Sequence, residues 1–272
     1  MSVDRDNELA FSGLLPIVEG PPKPRAAGLT EVRTYGNSVG FLRGYVDTLG
    51  EYVDSVKWAV GTQRLVTRRQ VKEINSFLHA KGIEVSSGGL LEVLIPRGEK
   101  AVRGFIGEAK ELGFDIIEVS TGLVVLDLED KARIVRAVTE AGLKAKPEVF
   151  GAPPLPGGYL PGSWISTDKI ANECAVLLEA GAWKVMIEED GLFDGRDPAK
   201  WHRDFAFRLA GRVPQDQIFW EASDIRLAAW LLVNFGPSVN IFTGLENVGQ
   251  LAAFRSGAFL TSGRIGAFRN EA

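Results

Sequence analysis

Apolar and polar positions along this chain follow two periods in turn. Short apolar runs rich in β-branched and aromatic residues lie near Leu29 to Thr34, Ser55 to Val60, Ile83 to Ser86, Ile116 to Val119, Leu143 to Val149, Lys184 to Ile187, Ile218 to Glu221 and Val239 to Phe242, and they read as strands. The stretches between them carry apolar residues three and four apart, as helices with one buried face do. Gly82, Gly113, Gly142, Gly181 and Gly236 each fall where a helix gives way to the next strand, a position that favours a left-handed C-cap. Thr67 with Gln70 fits a capping box, and Asp127, Asp168 and Asp224 stand where helix N-caps are expected. Strands that alternate with helices pair in parallel through right-handed crossovers, and eight such units predict an α/β protein with a closed (β/α)8, or TIM, barrel. An open doubly wound sheet is the rival, but no Gly-x-Gly-x-x-Gly turn follows the first strand. The barrel is expected to occupy residues 23–272 as one domain. Residues 1–22, which end in Glu19-Gly20-Pro21-Pro22 and lack sustained periodicity, read as a flexible arm.

Four consecutive apolar runs end in a glutamate: Glu118, Glu148, Glu188 and Glu221. In a parallel barrel the C-terminal ends of the strands face one mouth, where active sites of this architecture sit. The four carboxylates would form an acidic arc on strands four to seven. Crowded carboxylates raise one another's pKa unless a cation compensates, and Mg2+, which takes carboxylate and water oxygens, suits such a set. The alternative is that these glutamates pair with nearby lysines and arginines as structural bridges along the rim. Lys57, in the second strand between Val56 and Trp58, is costly there unless it points at a carboxylate or a ligand. Lys23 and Arg25 precede the first strand and are expected to fold over the opening. The loops holding Gly61-Thr62, Ser87-Gly88-Gly89 and Ser120-Thr121-Gly122 offer N–H and hydroxyl donors suited to an oxyanion or phosphate. Phe150 to Ile165 is a long Pro- and Gly-rich loop after the fifth strand, and it reads as a lid over the mouth.

Composition narrows the possibilities further. The 272 residues are 45% hydrophobic and 24% charged, with a net charge of −4, which gives no basic face for nucleic acid. No apolar run approaches the ~18 residues that span a bilayer, and the start lacks a basic-then-apolar signal layout, so a cytoplasmic location without membrane contact is expected. Cys174, the single cysteine, lies in an apolar helical stretch and reads as an inert buried thiol. His79 and His202 fall in predicted helices away from strand ends. Acid and base work is therefore expected from other side chains. Leu160 and Trp164 in the long loop make a homo-oligomer plausible.

From Lys23 to the last helix the sequence resembles the phosphosulfolactate synthase family, (β/α)8 enzymes of coenzyme M biosynthesis with plant heat-stress-associated relatives. The resemblance rests on Lys23-Pro24-Arg25 with Gly28-Leu29-Thr30, Val56-Lys57-Trp58 with Gly61-Thr62, Gly88-Gly89, Glu118-Val119-Ser120 with Gly122, Glu148-Val149, Ile187-Glu188, Glu221-Ala222 and Ser238-Val239-Asn240. It implies a Mg2+-dependent Michael-type addition of sulfite to phosphoenolpyruvate, with a small anionic substrate as partner. It implies Lys57, Glu148 and Glu118 as catalytic residues. Lys23, Arg25, Thr62, Gly88, Gly89, Ser120 and Asn240 would contact substrate, and Glu118, Glu148, Glu188 and Glu221 would serve the metal.

The chain also departs from the family's pattern. Thr34 stands where an aspartate closes the first strand, and Ser87-Gly88-Gly89-Leu90 replaces a Pro-Gly-Gly-Thr turn. Phe150 and the Pro/Gly loop replace a glycine and lysine after the fifth strand. The Glu188-Glu189-Asp190-Gly191 run lacks an arginine after the sixth, and Ser223 replaces a proline after the seventh. Two cations suited to sulfite and phosphate are absent, each a charge-assisted contact of ~1.5 to 3 kcal/mol. The expectation is a lyase-type barrel enzyme whose ligand has shifted; a changed nucleophile or acceptor, or a non-catalytic stress-related protein on this fold, are the rivals.

Overall fold

A computed structural model describes residues 9–14, 17–18, 20–151, 166–190, 192–193 and 198–258. Eight parallel strands run in sequence order: β1 Thr30–Thr34, β2 Ser55–Trp58, β3 Glu84–Ser86, β4 Ile116–Val119, β5 Lys144–Val149, β6 Val185–Ile187, β7 Ile218–Glu221 and β8 Asn240–Gly244. β8 pairs with β1 through Thr30 opposite Ile241 and Arg33 opposite Gly244. The sheet therefore closes, which removes the open-sheet alternative. The helices are α1 Val39–Leu49, α2 Arg68–His79, α3 Glu99–Glu111, α4 Leu128–Glu140, α5 Thr167–Glu179, α6 Arg203–Ala210, α7 Ile225–Phe235 and α8 Val248–Ser256. None among the described residues is long and apolar enough to cross a membrane.

The local signals work largely as the residues suggest. Thr67 and Gln70 form the reciprocal capping box of α2. Asp224 caps α7 by accepting from Arg226 N–H. Asp127 occupies the N-cap of α4 without bonding the first turn. Asp168 lies inside the first turn of α5, whose cap is the Ser166 hydroxyl. This is a correction of two residues, and Asp168 still favours the positive end of the helix there. All five junction glycines have positive φ, from 66° at Gly82 to 101° at Gly181, where a side chain would be strained.

Pleating sends alternate strand residues to opposite sides. Val32, Val56, Trp58, Val85, Ile117, Val119, Ala145, Val149, Ile187, Trp220 and Ile241 face the helices and form the main core with helical residues such as Leu78, Val135, Leu177 and Leu231. Their neighbours in sequence line the barrel. Inside the lumen, Leu29, Met186, Phe219 and Phe242 make a small apolar cluster, of which Phe242 borders the mouth cavity. Most other inward positions are polar: Glu31, Ser55, Lys57, Ser86, Glu118, Lys146, Glu148 and Asn240 are all buried. Buried charges survive only when paired, and here Lys146 bonds Glu31, which also accepts from the Ser55 hydroxyl at 2.9 Å.

Cys174 is buried on α5, and burial pushes its thiol up to about 12. His79 meets Asp115 at 2.8 Å on the outer surface, and His202 precedes α6. Neither ring lines the mouth cavity. In the N-terminal arm, Val18 N–H donates to Ser256 O at 2.9 Å, beside the base of the barrel. Of the loop read as a lid, residues 152–165 lie outside the described residues.

Candidate active site

Three strands converge on Lys57. Its ammonium lies 2.7 Å from Glu118 Oε1 on β4 and 3.1 Å from Glu148 Oε1 on β5. It also sits 4.3 Å from the centre of the Phe242 ring on β8. Burial disfavours the ammonium, but Glu118 and Glu148, with Glu188 and Glu221 beyond, hold its pKa well above the ordinary lysine value. Lys57 is thus a fixed cation at the floor of the mouth. Glu118 has a second cation, Lys146 Nζ at 3.4 Å, so an ionic chain links Glu31, Lys146, Glu118, Lys57 and Glu148 from inside the barrel to its mouth.

The glutamates differ in what surrounds them. Burial works against ionising Glu148, yet the Lys57 ammonium at 3.1 Å keeps its carboxyl well below the usual range. Burial and the nearby Glu148 carboxylate push Glu118 up, against Lys57 and Lys146. Glu188 is raised by burial and by Glu148 and Glu221 on either side. Glu221 meets Arg33 Nη2 at 3.1 Å, and the same nitrogen donates to the Ser223 hydroxyl. Ser223 N–H in turn donates to Glu189 Oε2 at 2.8 Å.

These side chains line a cavity of about 770 Å3 that opens at the C-terminal ends of the strands. Lys57, Glu118, Glu148, Glu188, Glu221, Gly89 and Ser120 all border it. The Ser120 hydroxyl donates to Glu92 Oε2 at 2.9 Å, and Leu123 N–H donates to the other Glu92 oxygen. Thr62 and Gly88 stand behind the wall. The Thr62 hydroxyl donates to Ala59 O at 2.9 Å. Gly88, at φ 59°, packs so tightly that an added Cβ would lie 2.1 Å from Trp58 O. It is a close-packing glycine that lets the β2 and β3 loops meet.

Three expected substrate contacts lie at the opposite end of the barrel. Lys23 donates to Gly50 O at 2.6 Å. Arg25 bonds Glu51 and Asp54, the residues that precede β2. Asn240 opens β8; its amide donates to Asp216 O and Ile218 O and accepts from Leu29 N–H. Residues that precede a parallel strand belong to the N-terminal face, so Lys23 and Arg25 do not fold over the mouth, and Asn240 ties the base of the barrel. Conversely, Arg33, Phe242, Glu92 and Lys146 belong to the site or its support and went unread in the sequence. Arg33 and Lys146 did carry a signal: each is a polar residue at the inward phase of an alternating strand, Glu31-Val32-Arg33 and Lys146-Pro147-Glu148.

Among the described residues no three acidic, histidine or cysteine side chains converge closely enough to enclose a metal alone. Mg2+ does not require that; it is commonly held by one or two carboxylates, with water and substrate oxygens completing the shell. Glu188 fits this, because the acidic groups there outnumber the adjacent cations and its pKa is raised by burial and by the Glu148 and Glu221 carboxylates.

Residues 19–260 match the (2R)-phospho-3-sulfolactate synthase (ComA) family. The chain belongs to this family. Two curated relatives fall at the same distance: the Protein HEAT-STRESS-ASSOCIATED 32 of Arabidopsis thaliana, 29% identical over 86% of this chain and 88% of the relative, and the phosphosulfolactate synthase of Methanothermobacter thermautotrophicus, 29% identical over 85% and 88%. Solved structures carry the same fold at low identity. The carboxyl transferase domain of Rhizobium etli pyruvate carboxylase superposes with a TM-score of 0.57 at 13% identity over 90% of this chain and 45% of that one. A phosphonomutase-like structure from Burkholderia cenocepacia gives 0.55 at 15% identity over 84% and 93%. For a phosphosulfolactate synthase family member, the mouth described above is the candidate active site.

Proposed function

We propose that this chain catalyses a phosphosulfolactate synthase-like addition. Sulfite, or a related nucleophile, adds to phosphoenolpyruvate or a similar small enol or unsaturated carboxylate. The observation that carries this reading is Lys57, a buried ammonium held between Glu118 and Glu148 at the floor of the mouth in a chain of this family.

The nucleophile forms a bond to the terminal carbon of the acceptor. The double-bond electrons move toward the carboxylate as enolate charge, and a proton then joins the neighbouring carbon. Lys57 offers N–H donors and a full positive charge where that enolate develops, and its burial limits the screening of that charge. The glutamates that hold its pKa high make it a stabiliser of charge rather than a proton donor, since a strongly basic ammonium gives up its proton poorly. Glu148, kept ionised, orients Lys57. Mg2+ held by Glu188 with Glu148 or Glu221 would act as a Lewis acid toward the acceptor's oxygens.

The experiment is product formation from phosphoenolpyruvate and sulfite, with and without Mg2+. Formation of phosphosulfolactate that depends on Mg2+ and is lost in Lys57→Met is the expected result. No turnover with intact Mg2+ binding rejects this substrate pair. One observation favours a second reading, the same mouth with another nucleophile or acceptor: Glu189, at the run where the family carries an arginine, accepts from Ser223 N–H and adds negative charge. A non-catalytic protein would lose neither ligand binding nor cellular function on substitution of Lys57 or Glu148.

A further inference from the structure

We infer that Arg33 is the substrate-carboxylate receptor of this mouth, a specificity-determining residue on β1. The inference rests on the reading of the mouth as a site for a small unsaturated carboxylate.

Arg33 sits one strand from Lys57 and directly opposite it in the β1–β2 register. Its guanidinium lies 4.8 Å from the centre of the same Phe242 ring that Lys57 approaches at 4.3 Å. Two cations therefore flank one aromatic residue and border one cavity. Arg33 Nη2 is anchored by Glu221 and the Ser223 hydroxyl, while its Nε–H is buried and has no partner among the described residues. Burial counts against the charged guanidinium, but Glu221, Tyr35 and Glu189 raise its pKa. A planar cation held on one side, with 22% of its side chain exposed beside the cavity, is placed to receive an acceptor that arrives with the ligand.

Ser223 supplies the hydroxyl that Arg33 bonds, and its N–H holds Glu189. Arg33 on β1 is thus buttressed from the ends of β6 and β7.

The ligand group is a carboxylate rather than a phosphate. Glu221 contacts Arg33 and Glu189 stands near it, so a dianion there would meet more repulsion than a single negative charge. Any phosphate on the acceptor is better placed across the cavity, by Gly61, Gly89, Gly122 and the exposed Arg64.

Calorimetric titration of the full chain in Mg2+ buffer with pyruvate, inorganic phosphate and phosphoenolpyruvate tests this. Arg33→Met should weaken pyruvate and phosphoenolpyruvate by about tenfold or more, the loss of one charge-assisted pair, and leave phosphate within about twofold. Arg33→Lys keeps the charge without the planar fork and should recover only part of the affinity. Ser223→Ala, which removes one anchor and little else, should weaken pyruvate by roughly threefold with an unchanged melting temperature. Should Arg33→Met not fold, Ser223→Ala decides, and unaltered pyruvate binding in it overturns the inference. So does equal pyruvate binding by wild type and Arg33→Met, an equal loss for phosphate, or no pyruvate binding by the wild type. Pyruvate binding that follows Arg33 without sulfite addition would remove the proposed reaction and leave this inference standing. Sulfite addition by Arg33→Met at the wild-type KM for phosphoenolpyruvate would do the reverse.

Discussion

The two ends of this barrel both bury charged and polar side chains, and they treat them in opposite ways. At the N-terminal end most of these groups meet backbone or side-chain partners, with Arg255 Nε–H and the Gln215 amide as exceptions among the described residues. Arg255 donates to Gly28 O, Leu29 O, Val239 O and the Thr30 hydroxyl. Asn240 spans three strands, Lys184 donates to Ala26 O and Asp216 O, and Asp54 takes Arg25 and Thr30 N–H. At the C-terminal end the imbalance is one of charge: the acidic groups exceed the cations beside them, and Glu188 is pushed up by its neighbours. A matched set of buried polar groups is what stability requires. An unmatched set is tolerated where a ligand completes it.

Substitutions at the two ends sharpen or break this contrast, and the largest effect is expected at Lys57. Lys57→Met leaves Glu118 and Glu148 buried with one cation fewer, which should cost about 3 to 5 kcal/mol in denaturant unfolding and abolish ligand binding. Arg255→Met strips the hydrogen bonds from three carbonyls at the base and should cost about 2 to 4 kcal/mol, while affinity per folded molecule at the mouth stays at the wild-type value. Asn240→Ala should lose about 1 to 3 kcal/mol by the same measurement, again with unaltered affinity.

The pH dependence of stability comes next in size. Glu188 and Glu189 are raised above their unfolded value by burial and by neighbouring carboxylates, so the folded chain binds more protons than the unfolded one above pH ~4.5. Stability contributed by these protonated groups is present below that value and is lost as pH rises through their folded pKa. The Glu148 shift has the opposite sign, and its contribution is complete above the same point. The melting temperature without Mg2+ should therefore be lower at pH 8 than at pH 5.5, and Mg2+ should narrow the difference; a flat or rising profile would mean that the carboxylates are already matched. Lys23→Ala should have the smallest effect, no more than about 1 kcal/mol and none on binding, because one half-exposed bond to Gly50 O is lost.

Most of the barrel was legible in the sequence because its signals are local. The junction glycines needed positive φ, the strands showed apolar runs, and Thr67 with Gln70 wrote its own cap. Glu118, Glu148, Glu188 and Glu221 were legible for the same reason, since each closes an apolar run and chain direction alone puts a strand's last residue at the mouth. Lys23, Arg25 and Asn240 were placed at the wrong end because their motif context was read ahead of chain direction: all three sit at or before the start of a strand. Arg33 was missed because its role depends on Ser223 and Glu221, about 190 residues away in sequence. Phe242 reads as ordinary core in any strand, and only barrel closure brings Lys57 and Arg33 to its ring.

The most direct test is a phosphoenolpyruvate titration, in Mg2+ buffer, of two variants corrected for folded fraction: Lys57→Met at the mouth and Asn240→Ala at the base. Loss of binding in Lys57→Met beside wild-type affinity in a less stable Asn240→Ala is the predicted result. Wild-type affinity in Lys57→Met, or weakened affinity in fully folded Asn240→Ala, would contradict it.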